Sequence, residues 1–595
     1  MAADRTADRA RGGGLGARLR GLLGPAEVPG FAHWPEPGQV GSARRGGQLA
    51  AGVFQFTGGI VEAPGATPWE IAPPSPLFEQ DLHGFLWLDD LAAVGDDAAR
   101  DLARRWVAGW IARYGRGGGP GWRPDVAGRR VLRLLAHAHL LLDDAEADGT
   151  PYFRTLQDHA QFLARRWQAA PPILPRIEAL VALARVGLAL EGAEAQAGPA
   201  LEDLDRELAR RVDGDGAIAS RNPEEMLEIL ALVAGLAAAR DAAGQPPAPG
   251  LETAAARMAA TLRRLRHADG ALARFHGGGR GAPGRLDHAL ATLRLRPAQT
   301  QGRASGLAGR AMGYARLAAG RTTLILDAAP PPPGTLAHAS TLAFELTSAR
   351  RPVIVNAGAG EPFGPSWGRT GRAPSGHSTL EIEEGSHRAL ARPAMAHGRA
   401  ARQAGGEPRP EPRDVRLQAS APQGAQRVVA GHDGYVAAYG LTHLRMLTLS
   451  RDGRRLSGRD TLGPTGAEER ATFAAALRRR GLRALPFALR FHLHPDVEAE
   501  AAGGRVWLTL LSGEVWIFEH DGPGAATLEP SVYLEAARPR PVGTRQIVLA
   551  GAVDENAGQV GWTLSKAEDT PRAIRDHAAA EDDTVLPVPD EAMFG

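Results

Sequence analysis

At 595 residues the chain exceeds what one hydrophobic core serves, so two or more domains are expected. An apolar fraction of 44% beside 23% charged residues fits a globular protein, and a net charge of +2 argues against a polybasic nucleic-acid surface. The absence of cysteine excludes disulfides, thiolate metal sites and cysteine nucleophiles. No stretch approaches the ~20 apolar residues of a membrane helix. Nearly all positive charge is arginine, Lys566 being the only lysine. Arginine suits planar, bidentate recognition of carboxylate or sulfate, although Ala, Gly and Arg enrichment is also the mark of a GC-rich genome.

Residues 1–30 are basic and Gly-rich, lack the apolar run of a secretory signal and are expected to form a disordered tail. Residues 31–85, rich in Pro, Gly and Trp, are expected to form an irregular collar. Residues 86–300 then read as helix after helix. Asp96–Asp97 precede Leu102, Trp106 and Trp110 at helical spacing, and "TPYF" at Thr150 supplies a cap with Pro151 in the first turn. Further helices are expected near 125–142, 175–190, 199–211, 222–239 and 250–267, separated by Gly/Pro breaks such as "GQPPAPG". Helical hairpins without intervening strands are the pattern of a helical domain.

Past residue 300 the period changes to two. Short alternating segments at Thr322–Leu326, Leu342–Leu346, Val353–Val355, Thr379–Ile382, Leu444–Leu449, Phe487–Leu493, Val506–Leu511 and Val515–Phe518 are divided by turns such as "RDGR" and "LSGE". Residues 301–570 are therefore expected to be an antiparallel β-sandwich, and 571–595 a C-terminal tail. An α half followed by a β half argues against a doubly wound enzyme.

Several stretches sharpen this layout. "HASTLAFELTSARRPVIVNAG", "RTGRAPSGHSTLEI", "HDGYVAAYGLTHLRMLTLSRDGRRLSGRDTL" and "FHLHPDVEA" resemble the heparinase II/III family, with looser likeness at "GWRPDVAGRRV" and "DGDGAIASRNPEEMLE". The resemblance covers most of residues 80–565. It implies an α+β multidomain chain, an (α/α) toroid followed by an antiparallel β-sandwich. It also implies a lyase that cuts uronic-acid polysaccharides by β-elimination. Such chemistry neutralises the uronate carboxylate, removes the C5 proton with a Tyr or His base and protonates the leaving oxygen at C4. The site is expected in a trough between the domains, lined with imidazole and guanidinium groups.

His338 precedes Phe344 at the spacing where relatives carry an active-site or metal-ligand histidine. The resemblance implies a His–Asp–His zinc site whose positions here are His338, Asn356 and His377. Asn brings no charge to a metal, so a hydrogen-bonded His338–Asn356–His377 cluster is expected ahead of zinc, which is an optional structural ion, and no cofactor is required. In "SRNPEE", Asn222 is a good N-cap, Pro223 suits the first helical turn and Glu225 completes a capping box. Arg221 has no capping duty and is free to face a carboxylate. Relatives carry a Tyr-His pair after an Asp-Gly. Counted from Asp215–Gly216, Glu225 and Met226 stand there instead. His276, in the loop "RFHGGGRG", is a substitute base; "GGGRG" is no phosphate loop, lacking the Lys-Ser/Thr ending. Trp122 and Arg123 are placed to stack and hold a sugar or to anchor a loop. His137 sits on an apolar helix as a core histidine or a further substrate contact, and His492 and His494 are structural.

Two functions follow. The first is a polysaccharide lyase acting on an acidic glycan through His338, His276, Arg221 and Asn222. The alternative is a catalytically impaired carbohydrate-binding or envelope-assembly protein on the same fold. A hydrolase using Asp215, Glu224 and Glu225 is a weaker third. The resemblance implies the cell envelope or periplasm; the missing secretory signal points instead to the cytoplasm. Oligomeric state is not readable.

Overall fold

The computed structural model describes residues 30–567 except 37, 39–40, 143–148, 296–308, 335–336, 383–411, 537 and 539. The expected tails up to residue 29 and from 571, and the expected boundary at 300/301, lie outside the described residues.

The expected collar is more regular than its composition indicates. It holds helices Ala43–Ala50 and Pro76–His83 and a hairpin of β1 (Val53–Phe56) and β2 (Gly59–Glu62). These short elements hold together by burying Phe54, Phe56 and Phe78 against the helices that follow. Those helices run Leu86–Val94, Asp97–Tyr114, Pro124–Ala136, Thr150–Arg166, Leu174–Ala189, Ala197–Arg211, Pro223–Ala242 and Pro249–Arg264. Asp96 caps the second, accepting from the Ala99 amide at 2.7 Å. Thr150 does not cap its helix; it opens the first turn and Gly149 holds the cap position without a side-chain bond. Helix Leu174–Ala189 is apolar almost all round and buried accordingly, wedged among Pro124–Ala136, Ala197–Arg211 and Pro223–Ala242.

The second half is a sandwich of two antiparallel sheets. One runs in the order β17 (Thr527–Tyr533), β18 (Val542–Val553), β13 (Leu485–Leu493), β7 (Arg351–Val355), β6 (Phe344–Ser348), β5 (Thr322–Asp327), β4 (Tyr314–Ala319), β3 (Arg310–Ala311), with β8 (Leu380–Ile382) also pairing β13. The other runs β14 (Val497–Ala502), β15 (Arg505–Leu510), β16 (Val515–His520), β19 (Gly558–Lys566), β12 (Arg455–Gly463), β11 (Thr442–Leu449), β10 (Gln426–His432), β9 (Val415–Ser420). The architecture is thus a helical toroid followed by an antiparallel β-sandwich, as expected. The sequence reading passes over β3, β4, β9, β10, β12, β14, β17, β18 and β19, most of which are short, polar on one face or broken by Gly and Pro.

Pleating decides what each side of the first sheet does. Leu324, Leu326, Phe344 and Leu346 point into the sandwich, where Phe344 stacks on Trp562 at 5.8 Å. Tyr314 and Ile325 point the other way and join the helical core. Strand β5 is therefore buried at every residue, and the sheet is a shared wall between the two halves. Truncating Trp562 to Ala empties the space between the sheets and removes the indole hydrogen bond to Asp460. The expected loss is about 3–5 kcal/mol by urea denaturation, and a loss within measurement error rejects Trp562 as the sandwich keystone.

Candidate functional site

Where the toroid meets this wall, three side chains converge on one carboxylate. Asp327, at the end of β5, is fully buried. It accepts from the Arg221 guanidinium and, at 2.7 Å, from Ser340 Oγ, and faces His276 Nε2 at 3.4 Å. Burial by itself raises a carboxyl pKa; here Arg221 and His276 outweigh it and hold Asp327 down to about 2. Arg221 also donates to the carbonyls of Met312, Ala329 and Pro330, and its guanidinium lies 4.8 Å from the Tyr314 ring centroid. The Tyr314 hydroxyl donates back to the Arg221 carbonyl at 2.5 Å.

The backbone is strained at the same place. Arg221, His276, Met312 and Leu342 all have φ between 50° and 63°, a region that non-glycine residues seldom occupy. Each is a turn residue beside the Asp327 cluster, held there by these bonds. Asn222 caps helix Pro223–Ala242, its Oδ1 accepting from the Glu224 and Glu225 amides at 3.0 and 3.1 Å. The capping box closes indirectly, because Glu225 binds Ser220 Oγ instead of the Asn222 amide. The Oδ1 of Asn222 is thus committed to its helix.

The expected histidines do come together. The His338 amide donates to His276 Nδ1 at 3.2 Å, which leaves the His276 proton on Nε2, toward Asp327. The His338 ring lies 6.1 Å from that of His276 and 5.2 Å from that of His377. Asn356 adjoins them, its Oδ1 accepting from the Ser378 amide at 3.0 Å. The expected open trough is absent at this point: His338 and His276 are 2% exposed, Asn356 and His377 fully buried. Burial drives the imidazole pKa values down, His338 well below its ordinary value and His377 to about 3, so all are neutral. Neither ring nitrogen of His338 has a hydrogen-bond partner among the described residues.

Two neutral imidazoles and an amide oxygen already engaged by Ser378 do not make the charged, four-donor set that zinc takes. Among the described residues no group of three or more His, Cys, Asp or Glu is arranged to hold a metal.

Trp122, Arg123 and His137 are placed elsewhere, each with partners in the first helices. Trp122 donates to the Tyr114 carbonyl and stacks on His159, Arg123 pairs with Asp125, and His137 Nε2 meets Asp89 at 2.8 Å. His492 is structural, bridging Ser531 Oγ and the Ser375 carbonyl.

Sequence reasoning missed two buried arginines. Arg274 donates to the carbonyls of Asn356, Ala357 and Leu534 and lies 4.1 Å from the Tyr533 ring centroid. It fills the space beside Gly358, whose φ of +100° and lack of a Cβ make room for it. Arg445, on β11, donates to Asp460 and to the carbonyls of Leu342 and Ser378, tying the second sheet to the segments that carry His338 and His377. The available signal was charge at inward strand positions: Asp327, Glu345 and Arg445 each interrupt an otherwise apolar or alternating segment.

A second Asp-Gly turn, Asp269–Gly270, leads to Phe275–His276 beside His338. Phe275 is fully buried against Tyr314, ring centroids 5.0 Å apart.

Residues 301–563 match the family model of the heparinase II/III-like C-terminal domain. FtsZ-localized protein C of Caulobacter vibrioides (strain NA1000 / CB15N) is 31% identical over 548 residues, covering 88% of this chain and 88% of that protein. Among solved structures, the crystal structure of heparinase III superposes with a TM-score of 0.63 at 15% identity, covering 85% of this chain and 80% of that one. A mutant of the heparan sulfate lyase HepC from Pedobacter heparinus gives 0.54 at 14%, covering 89% and 83%. Likeness at such identities speaks for the fold.

Replacing Asp327 by Asn strands the buried Arg221 guanidinium and is expected to destabilise the protein by about 3–5 kcal/mol; an unchanged urea midpoint refutes the central role given to Asp327. Acid should act in two stages. His377 titrates near 6.5 unfolded but near 3 folded, so the unfolded chain binds more protons between those values. Stability is then full above about 6.5 and falls toward about 3, and Asp327 adds a second loss between 3.8 and about 2. Denaturation midpoints that stay level from neutral into mildly acid solution contradict the buried, neutral histidines.

Proposed function

This chain belongs to the heparinase II/III-like family, and on that premise we propose that it is a non-catalytic member that localises with FtsZ, as the name of its Caulobacter relative says of that protein. The observation that carries this reading is the Arg221–Asp327 ion pair. β-Elimination needs a group free to neutralise the uronate carboxylate, and Arg221, the guanidinium expected in that role, is spent on Asp327 and three backbone carbonyls. Elimination also needs a base to take the C5 proton while the C4–oxygen bond breaks. The residue before His276 is Phe275, which has no hydroxyl. Tyr314 is near, but its hydroxyl is bonded to the Arg221 carbonyl and burial pushes its pKa well above the usual phenol value. His338 and His276 are shielded from solvent, so a polymer has no route to them without separating the two halves.

On this reading the polar cluster is structural glue. It holds toroid and sandwich as one body, which then serves as an assembly surface. No metal is needed, since the donor set around His338 carries no charge to balance a divalent ion.

Three measurements test the proposal. Purified protein incubated with heparan, alginate and other uronate polymers is expected to yield no absorbance from unsaturated uronate; turnover that disappears in His338→Ala overturns it in favour of a lyase. A fluorescent fusion in the native host is expected to coincide with FtsZ, and a distribution indifferent to FtsZ removes the assembly role. Elemental analysis of the purified protein is expected to find no stoichiometric zinc; one zinc per chain, lost in His377→Ala, refutes the metal-free cluster.

A further inference from the structure

A second meeting place of the two halves is open and basic. One hollow of about 690 Å³ lies between the end of helix Pro249–Arg264, the loop after it and strand β4. A neighbouring hollow of about 500 Å³ follows the β4–β5 and β6–β7 turns, and the two share Ala268, Arg316 and Arg350. Together they make one groove across the junction.

The charges in this groove are unbalanced. Its two carboxylates are already engaged, Asp287 by a bidentate bond from Arg266 at 2.7 and 2.6 Å and Asp269 by Arg280. Arg316, Arg321 and Arg350 have no carboxylate within ion-pairing distance among the described residues. Arg321 and Arg350 are exposed on adjacent hairpin turns, held side by side by the Thr322–Ser348 pairing of β5 and β6. Arg316 is half-buried on β4, with a weak contact of 3.4 Å to Thr323 Oγ1 and a buried Nε that meets no acceptor. A half-buried guanidinium without a counter-charge is costly, and an incoming carboxylate relieves that cost.

We infer that this groove is a docking site for an extended acidic segment of a partner protein. Carboxylates at successive side chains match a row of separate guanidiniums. A glycan fits less well, because no Phe, Tyr or Trp lines either hollow to stack a sugar ring. The inference is independent of whether the buried cluster is catalytic.

The test uses the full-length protein and a fluorescein-labelled oligoglutamate peptide in an anisotropy titration. Saturable binding that weakens with salt is expected, reduced about tenfold or more by the double change Arg321→Glu and Arg350→Glu. Both residues are exposed turn positions, and an unchanged thermal melt confirms folding. A control with the same charge change, Arg478→Glu and Arg479→Glu on the sandwich surface, is expected to bind like the unaltered protein. Equal losses in both variants mean bulk charge and overturn the site. So does binding of a heparan oligosaccharide where the peptide fails, or displacement of the peptide by millimolar inorganic phosphate alone.

Discussion

The contact between the two halves of this molecule centres on one buried carboxylate. Asp327 is unexposed and ionised, and a lone charge in that position would be intolerable. Arg221 answers it from the loop that starts a toroid helix, His276 from a second toroid loop and Ser340 from the segment before β6. Each of those segments bends through backbone angles that non-glycine residues avoid, and the ionic bonds are what hold the bends. Removing the carboxylate therefore affects charge, turn geometry and domain contact together.

A second layer repeats the design. Glu345, on the same face of the shared sheet, accepts from His267 and the Arg274 amide, both from the toroid. Arg274 in turn reaches over Gly358 to Leu534, and Arg445 approaches from the opposite sheet to the carbonyls of Leu342 and Ser378. Buried arginines thus tie together loops that have little apolar surface of their own. The same economy bears on function: guanidiniums committed to backbone carbonyls are withdrawn from substrate recognition. Arg316, Arg321 and Arg350, which have no carboxylate partner among the described residues, lie instead along the groove.

The toroid and the sandwich were legible because their hydrophobic periods differ, 3.6 against 2, over long stretches. Asn222, Pro223 and Asp96 were legible because capping is a local event within four residues. His338, Asn356 and His377 were grouped on family likeness and His276 by its Gly-rich loop, and the fold brings the three histidines together. Their burial was not legible, since β5 carries its apolar side chains on both faces and only the assembled wall shows which half each face serves. Two Asp-Gly turns, at Asp215 and Asp269, have similar local sequence, and only the fold shows that the second leads to His276 beside His338. Arg123 and Trp122 looked like sugar contacts by residue type alone, and their partners proved to be Asp125 and His159.

By itself the amino-acid order determined the class of each half, the helix caps and the stock of histidine and arginine from which any site had to be made. Those properties depend on neighbours a few positions away. Only the tertiary structure decided that Arg221 faces a carboxylate from a residue 106 positions later, that Phe275 occupies the place beside the paired imidazoles, and that the open basic surface lies apart from them. Long-range ionic contacts carry no period, so nothing in the linear pattern announces which of 67 acidic residues a buried arginine will meet.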